Sequence, residues 1–362
     1  MSGDGAASAL VCDLLEDGRD AVFRDYRRPG LALGADGTLL AYYEAQRFEG
    51  GRAQSLICRA SRDAGKSWSE RVVIASGGAA GMLHNIMMVW AEGCFHCLWN
   101  VQYRQLWYAN SRDGLEWSEP RDMTRNIWRA DSDYPWNAFG IGSGHALRLK
   151  SGRILVPSWF TTGGDGHKPS AFGNIYTDDL FESVHIGATL QSGEEILNPN
   201  EGAIVELPDG DVLATVRHDN PCRARAMARS RGGVERWRDV NFREDLPDPI
   251  CHASMFECAR GLLFMNCANA DPDWKRKYDA GEIRYIWSDD ARKNLTLRAS
   301  TDGGAHFGSG VRIAEKGGYS DMACADGYVV CVYETGWNLE DSCIFPHQIG
   351  VARLPLELVF GE

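Results

Sequence analysis

No apolar run in the 362-residue chain approaches the length of a membrane span. The opening MSGDGAASALVCDLLEDGRDAVF has neither a basic start nor the uninterrupted apolar stretch of a secretory signal. Both absences predict a cytoplasmic protein with no membrane partner. Basic residues are in the minority: 38 Lys and Arg against 50 Asp and Glu give a net charge of -12. Such a field repels nucleic acid and anionic membranes, so any bound anion must be drawn by a local cluster of cations. Stretches with helical periodicity free of Gly and Pro are scarce. No phosphate loop, dinucleotide fingerprint or Ser/His/Asp arrangement is present, and no cofactor is expected. The 11 cysteines, an odd number scattered through apolar runs such as SLICRA and YVVCVY, read as buried thiols rather than a disulfide framework. CFHC and CHASMFEC are the metal-like groupings of the sequence. The first reads as a strand, where residues three apart point to opposite faces, and no metal is expected.

What the chain has in abundance is repetition. Six segments share one shape: ADGTLLAYYEA, AEGCFHCLWNV, KSGRILVPSWF, PDGDVLATVRH, ARGLLFMNCAN and ADGYVVCVYET. Each is a polar turn, a glycine (Gly37, Gly93, Gly152, Gly210, Gly261, Gly327) and an apolar strand. The glycine supplies the positive φ of a tight hairpin, and the unbroken apolar run suits a strand covered on both faces. Units of this length, six times over, predict an all-β protein. The expected fold is one six-bladed propeller of four-stranded antiparallel blades over residues 1–362. Its ring would be closed by HQIGVARLPLELV pairing with N-terminal chain near DAVFRDY.

A second repeat follows some of these strands: SRDAGKSW from Ser61, SRDGLEW from Ser111, STDGGAHF from Ser300, and SRGGVERW from Ser230 without the Asp. It resembles the Asp box of sialidases and other propellers, a hairpin whose Asp caps backbone amides while its aromatic packs between strands. That role is structural.

If the blades run alike, one offset from each repeat glycine reaches one rim around the axis. The seventh residue after the glycine is Glu44, Asn100, Trp159, Arg217 and Glu334, and Asn266 lies five on in the fifth repeat. Polar groups from different blades thus converge on a central site, with Glu44 and Asn100 as candidate substrate contacts. The alternative is that these strands simply end in polar residues where they meet solvent.

Four further segments, in order, resemble the sialidase superfamily over almost the whole chain. DYRRPGLA is similar to the segment carrying the first arginine of a triad, here Arg27. NPNEGAIVELPDGDVLATVR resembles the segment that supplies a glutamate and the second arginine, Glu201 and Arg217. RKNLTLRASTDGG resembles the third-arginine segment, giving Arg292. GYSDMACADGYVVCVYE resembles the nucleophile segment, with Tyr319 in the tyrosine position and Glu334 bracing the first arginine. The resemblance implies an exo-acting, retaining glycoside hydrolase that releases a terminal sialic or related ulosonic acid. Three guanidiniums suit one carboxylate chemically, through bidentate charge-assisted hydrogen bonds. A neutral phenol also meets less repulsion than a carboxylate beside an anionic anomeric carbon, provided a neighbour such as Glu201 takes its proton.

One feature of the superfamily is missing. The loop EAQRFEGGRAQSLICRAS, where an acid/base Asp is expected, contains no Asp. Glu49 is the nearest carboxyl group, Arg52 stands near the expected position, and Arg28 replaces a small apolar residue. Glu49 is the candidate acid, with Asp131, Asp133 and His84 as other candidates. The departure keeps open altered chemistry on uronates or other acid sugars, as a lyase or hydrolase, and a binding module without turnover.

Overall fold

The computed structural model describes residues 10–18, 22–46, 54–77, 81–269, 273, 276–277, 280–282, 291–337 and 346–361. Six antiparallel sheets form the six blades of a propeller. Blade 1 is Asp25–Leu33, Leu39–Gln46, Gln54–Ser61 and Val72–Ser76; blade 2 is Leu83–Ala91, Cys94–Val101, Gln105–Ser111 and Arg121–Asp122. Blade 4 is Gly202–Glu206, Asp211–Val216, Ala224–Arg231 and Arg238–Pro247; blade 5 is Ser254–Cys258, Gly261–Cys267, Lys293–Ser300 and Val311–Lys316. Blade 3 has broken edges. Ala138–Ile141 and Leu147–Arg148 both pair with Ile154–Thr161, while His185–Ile186 and Leu190–Gln191 both pair with Ser170–Thr177. First strands of neighbouring blades touch around the axis, including those of blades 6 and 1, and between blades 3 and 4 Ile154–Thr161 meets Gly202–Glu206.

Blade 6 closes the ring with both ends of the chain. Ser320–Ala325, Tyr328–Trp337 and Pro346–Pro355 are completed by the N-terminal Val11–Glu16, antiparallel to Pro346–Pro355. The sequence expectation placed the N-terminal partner near DAVFRDY. The described part of that segment instead leads into the first strand of blade 1, whose Asp25 pairs with Gln46. Glu16 is buried where the closing strand meets blade 1, and it takes the guanidinium of Arg59 at 2.8 Å together with Arg71 and the Tyr43 hydroxyl.

The glycine-led segments are the second strands of their blades, not the innermost ones. Gly37 and Gly210 both sit at positive φ, 84° and 81°, in the turns before these strands. The apolar run after each glycine is divided by the pleat between two inter-blade cores. Leu39, Ala41 and Tyr43 pack toward blade 6, and Leu40 and Tyr42 toward blade 2. Val212, Ala214 and Val216 pack toward blade 3, and Leu213 toward blade 5. Each of the six cores lies between two adjacent blades, so every blade is held by its neighbours.

The connection from third to fourth strand carries the second repeat. In blade 1, Asp63 Oδ1 accepts the amides of Lys66 and Ser67, and Ser61 Oγ accepts that of Gly65. Blades 2 and 5 repeat the arrangement at Asp113 and Asp302. Blade 3 builds it from YTDDLFES, a segment without the glycine: Asp179 accepts the amide of Ser183, and Phe181 occupies the turn at φ 68°.

Candidate active site

First strands begin, and second strands end, at the same rim of the propeller, and the chemistry-bearing residues gather there. Arg27 is the third residue of the first strand of blade 1, while Glu201 and Tyr319 immediately precede those of blades 4 and 6. Arg217 follows the second strand of blade 4, Glu334 lies near the end of that of blade 6, and Arg292 precedes the third strand of blade 5.

Tyr319 is the centre of this group. Its ring is buried, and its hydroxyl donates to Glu201, 2.6 Å from each carboxylate oxygen. Arg217 Nη1 donates to the same hydroxyl at 2.8 Å and to Glu201 Oε2 at 2.6 Å. The guanidinium carbons of Arg292 and Arg27 lie 5.1 and 5.9 Å from the centre of the Tyr319 ring. Three guanidiniums from three blades therefore surround one phenol.

Glu334 organises them from below. It is fully buried and accepts Arg27 Nε at 2.9 Å, the Arg28 amide at 3.0 Å and the Tyr319 amide at 3.0 Å, with Arg292 Nη1 3.7 Å away. One carboxylate thus fixes two guanidiniums and the backbone of the tyrosine. His252, also buried, stacks against Tyr319, with ring centres 5.3 Å apart.

The electrostatics follow from burial and these partners. Burial pushes the Tyr319 phenol well above its ordinary value, and the Glu201 charge adds to the shift against the pull of Arg217 and Arg292. Burial also acts to raise the Glu201 carboxyl, but Arg217, the Tyr319 hydrogen bond and Arg28 outweigh it and hold that group at about 2. In Glu334 burial is likewise overcome by Arg27 and Arg292, and its carboxyl is lowered. Burial brings His252 down to about 4. The resting pair is a neutral phenol donating to a carboxylate.

Above Tyr319 opens a cavity of about 370 Å³, lined by Tyr319, Glu201, Arg217 and Arg28, an aromatic wall of Tyr103, Trp159 and His167, and a polar wall that includes Ser170, Asn198, Asn200 and the Lys168–Asp219 ion pair. Its size and lining suit a single sugar ring. Among the described residues no group of three or more His, Cys, Asp or Glu side chains is arranged to hold a metal ion.

Residues 37–331 match the BNR repeat-like domain family. The chain belongs to that family, as a sialidase-like propeller. The sialidase of Micromonospora viridifaciens is 26% identical over 294 residues, which are 71% of this chain and 44% of that protein. Sialidase-3 of Rattus norvegicus is 23% identical over 293 residues, 69% of each. The BNR chain therefore spans less than half of the first relative's length and about two thirds of the second's. A Hadza microbial sialidase superposes with a TM-score of 0.75 at 20% identity, covering 96% of this chain and 69% of the other. The structure of Trypanosoma rangeli sialidase in complex with sialic acid gives 0.71 at 15% identity, covering 96% and 59%. At these identities the structural likeness is one of fold.

Other residues singled out in the BNR sequence lie in different settings. Glu44 is buried beneath the cavity, accepting Arg28 Nη1 at 2.9 and 2.8 Å and the Asn85 amide at 2.6 Å. Asn100 is fully buried away from the cavity lining; its Nδ2 donates to the Gln105 carbonyl and its Oδ1 accepts the Ile141 amide. Asn266 likewise binds the Pro247 carbonyl. Asp131 is exposed, and Asp133 accepts the amide and hydroxyl of Thr189. His84 stacks on Tyr103 at 4.3 Å and so backs the aromatic wall. Glu49 and Arg52 fall outside the described residues.

Several lining residues escaped the sequence reading. Tyr103 and Lys168 stand in loops between repeats, with no periodic signal. Asn198 and Asn200 were within reach, since they immediately precede Glu201 in NPNEG. Arg28 was visible only as a departure from pattern.

Proposed function

We propose that this propeller is an exo-acting, retaining glycoside hydrolase that releases a terminal sialic acid or related ulosonic acid. The observation that carries the reading is the Tyr319 hydroxyl shared between Glu201 and Arg217, with Arg27 and Arg292 flanking its ring. The relatives at 26% and 23% identity are named sialidases, which supports the same chemistry.

The substrate carboxylate binds Arg27, Arg217 and Arg292. Glu334 holds two of these in place, so little rotamer entropy is lost on binding. Tyr319 attacks the anomeric carbon, the glycosidic bond breaks with its electron pair on the leaving oxygen, and Glu201 takes the phenolic proton. In the resting site Arg217 makes Glu201 a weak base. A bound carboxylate competes for Arg217 and cancels part of its charge, which raises Glu201 as the proton must move. Water then attacks the anomeric carbon, the tyrosyl–sugar bond breaks with its electron pair on the phenolic oxygen, and Glu201 returns its proton there; the proton shed by the attacking water balances the one that the leaving oxygen takes up from solvent.

The cavity favours an anion. Among the described residues lining it, Arg28, Lys168 and Arg217 outnumber the carboxylates of Glu201 and Asp219 by one. Tyr319→Phe tests the reading: turnover of aryl sialosides is expected to fall below detection while calorimetric binding of sialic acid persists. Equal rates for wild type and variant would sink it.

A second reading is binding without turnover. It is favoured by the two carboxyl groups lining the cavity among the described residues, Glu201 and Asp219, both being tied into ion pairs. Sialic acid binding with no release from any aryl or alkyl sialoside would support it.

A further inference from the structure

Arg28 is the one guanidinium of the cavity wall that the proposed reaction does not use. It sits at φ 50°, a left-handed backbone that a bulky side chain adopts only when its surroundings impose it. Here they do: the Arg28 amide is held by Glu334, and Glu44 engages its side chain from the floor. Glu44 is itself fully buried and fastened by the Asn85 amide. The chain has thus been bent to aim a long cationic side chain into the cavity that holds Tyr319 and Glu201.

Both Glu44 oxygens bind the same nitrogen, Nη1. Among the described residues the Nε–H is buried and without a partner, and Nη2 of this cavity-lining side chain makes no hydrogen bond, so Nη2 is the donor left for a ligand. The charge of Arg28, however, is already matched by Glu44, which binds it through both carboxylate oxygens. A second anion at Arg28 would therefore have to overcome the Glu44 carboxylate beside it, while an uncharged oxygen would meet a directed donor at no such cost.

Resting on the acid-sugar reading above, we infer that Arg28 is a specificity-determining contact that donates to an uncharged oxygen of the sugar, selecting monoanionic sugars that carry an acceptor there and rejecting those with a cationic or second anionic substituent. The carboxylate is read by one set of arginines and a hydroxyl or acyl oxygen by another.

The test is calorimetric binding to the full chain, wild type and the variants Arg28→Gln and Arg28→Lys, with thermal unfolding to confirm that each is folded. The probes are sialic acid, its monodeoxy and monoamino analogues at each ring hydroxyl, and a phosphorylated sialic acid. Wild type is expected to lose about 10- to 100-fold in affinity when one particular hydroxyl is removed, the range for a hydrogen bond to a charged group. It should lose more when that hydroxyl becomes an ammonium, and gain nothing from phosphate. Arg28→Gln is expected to flatten the deoxy and amino differences, and Arg28→Lys to restore the ammonium penalty. A merely structural role would weaken all probes equally and leave these ratios intact. Unchanged ratios in Arg28→Gln, or tighter binding of the phosphorylated sugar by wild type, would overturn the assignment. Failure of wild type to bind any of the monoanionic sugars overturns the acid-sugar reading itself, and this assignment with it.

Discussion

The second strands of blades 4 and 6 and those of blades 2 and 5 end at the same rim, with polar residues at similar distances from their repeat glycines. Arg217 and Glu334, from blades 4 and 6, bind or brace Tyr319. Asn100 and Asn266, from blades 2 and 5, satisfy backbone groups of adjoining loops and strands. The repeat sets the height of a residue along the axis, but the neighbouring blade decides its partner. Beside Arg217 the adjoining strand starts offer Glu201 and Tyr319; beside Asn100 lie the Gln105 carbonyl and the Ile141 amide, which any buried amide side chain can satisfy.

The comparison breaks most sharply at Glu334. Glu334→Ala leaves Arg27 and Arg292 without their shared carboxylate, and removing one partner from a buried ion pair costs roughly 3–5 kcal/mol. Both the unfolding midpoint in denaturant and sialoside turnover are expected to collapse, and a variant with wild-type stability would refute the bracing role. Glu201 comes next, through pH. Its carboxyl is held at about 2 in the folded protein, below an unfolded value of about 4.3. Its stabilising contribution is therefore present above about pH 5 and is lost as pH falls through the window toward 2. Glu201→Gln should flatten the acid limb of stability between those limits, and an unaltered slope would argue against the Arg217–Glu201 pairing. Asn100→Ala is expected to cost about 1–3 kcal/mol by leaving the Ile141 amide unsatisfied, with KM for sialosides unchanged. A raised KM with unchanged stability would move Asn100 into the site.

The blades were legible because each repeat is local: a turn glycine and an apolar strand report their own structure whatever the rest of the ring does. Ring closure was less so. Val11–Glu16 is an outer-edge strand whose Val11 and Leu14 are exposed, so it lacks the alternation that marks a half-buried strand. The hairpin at Thr177–Ser183 was hidden because Phe181 stands at the positive-φ position where the other blades place glycine. In the site, the segments around Arg27, Glu201, Arg217, Arg292, Tyr319 and Glu334 were visible one by one. Asn100 shared their spacing and lies elsewhere.

Sequence alone determined the six repeats, the two-faced strands that make every blade dependent on its neighbours, and which segments carry arginine, glutamate and tyrosine to one rim. Only the tertiary structure decided that Arg27, Arg217 and Arg292 surround one phenol, that Glu334 ties two of them to its backbone, and that Arg28 turns into the cavity with Glu44 beneath it. The reason is geometric. Spacing along a strand measures distance parallel to the propeller axis, whereas a binding site is made across it, between side chains of different blades that meet only when the ring is closed.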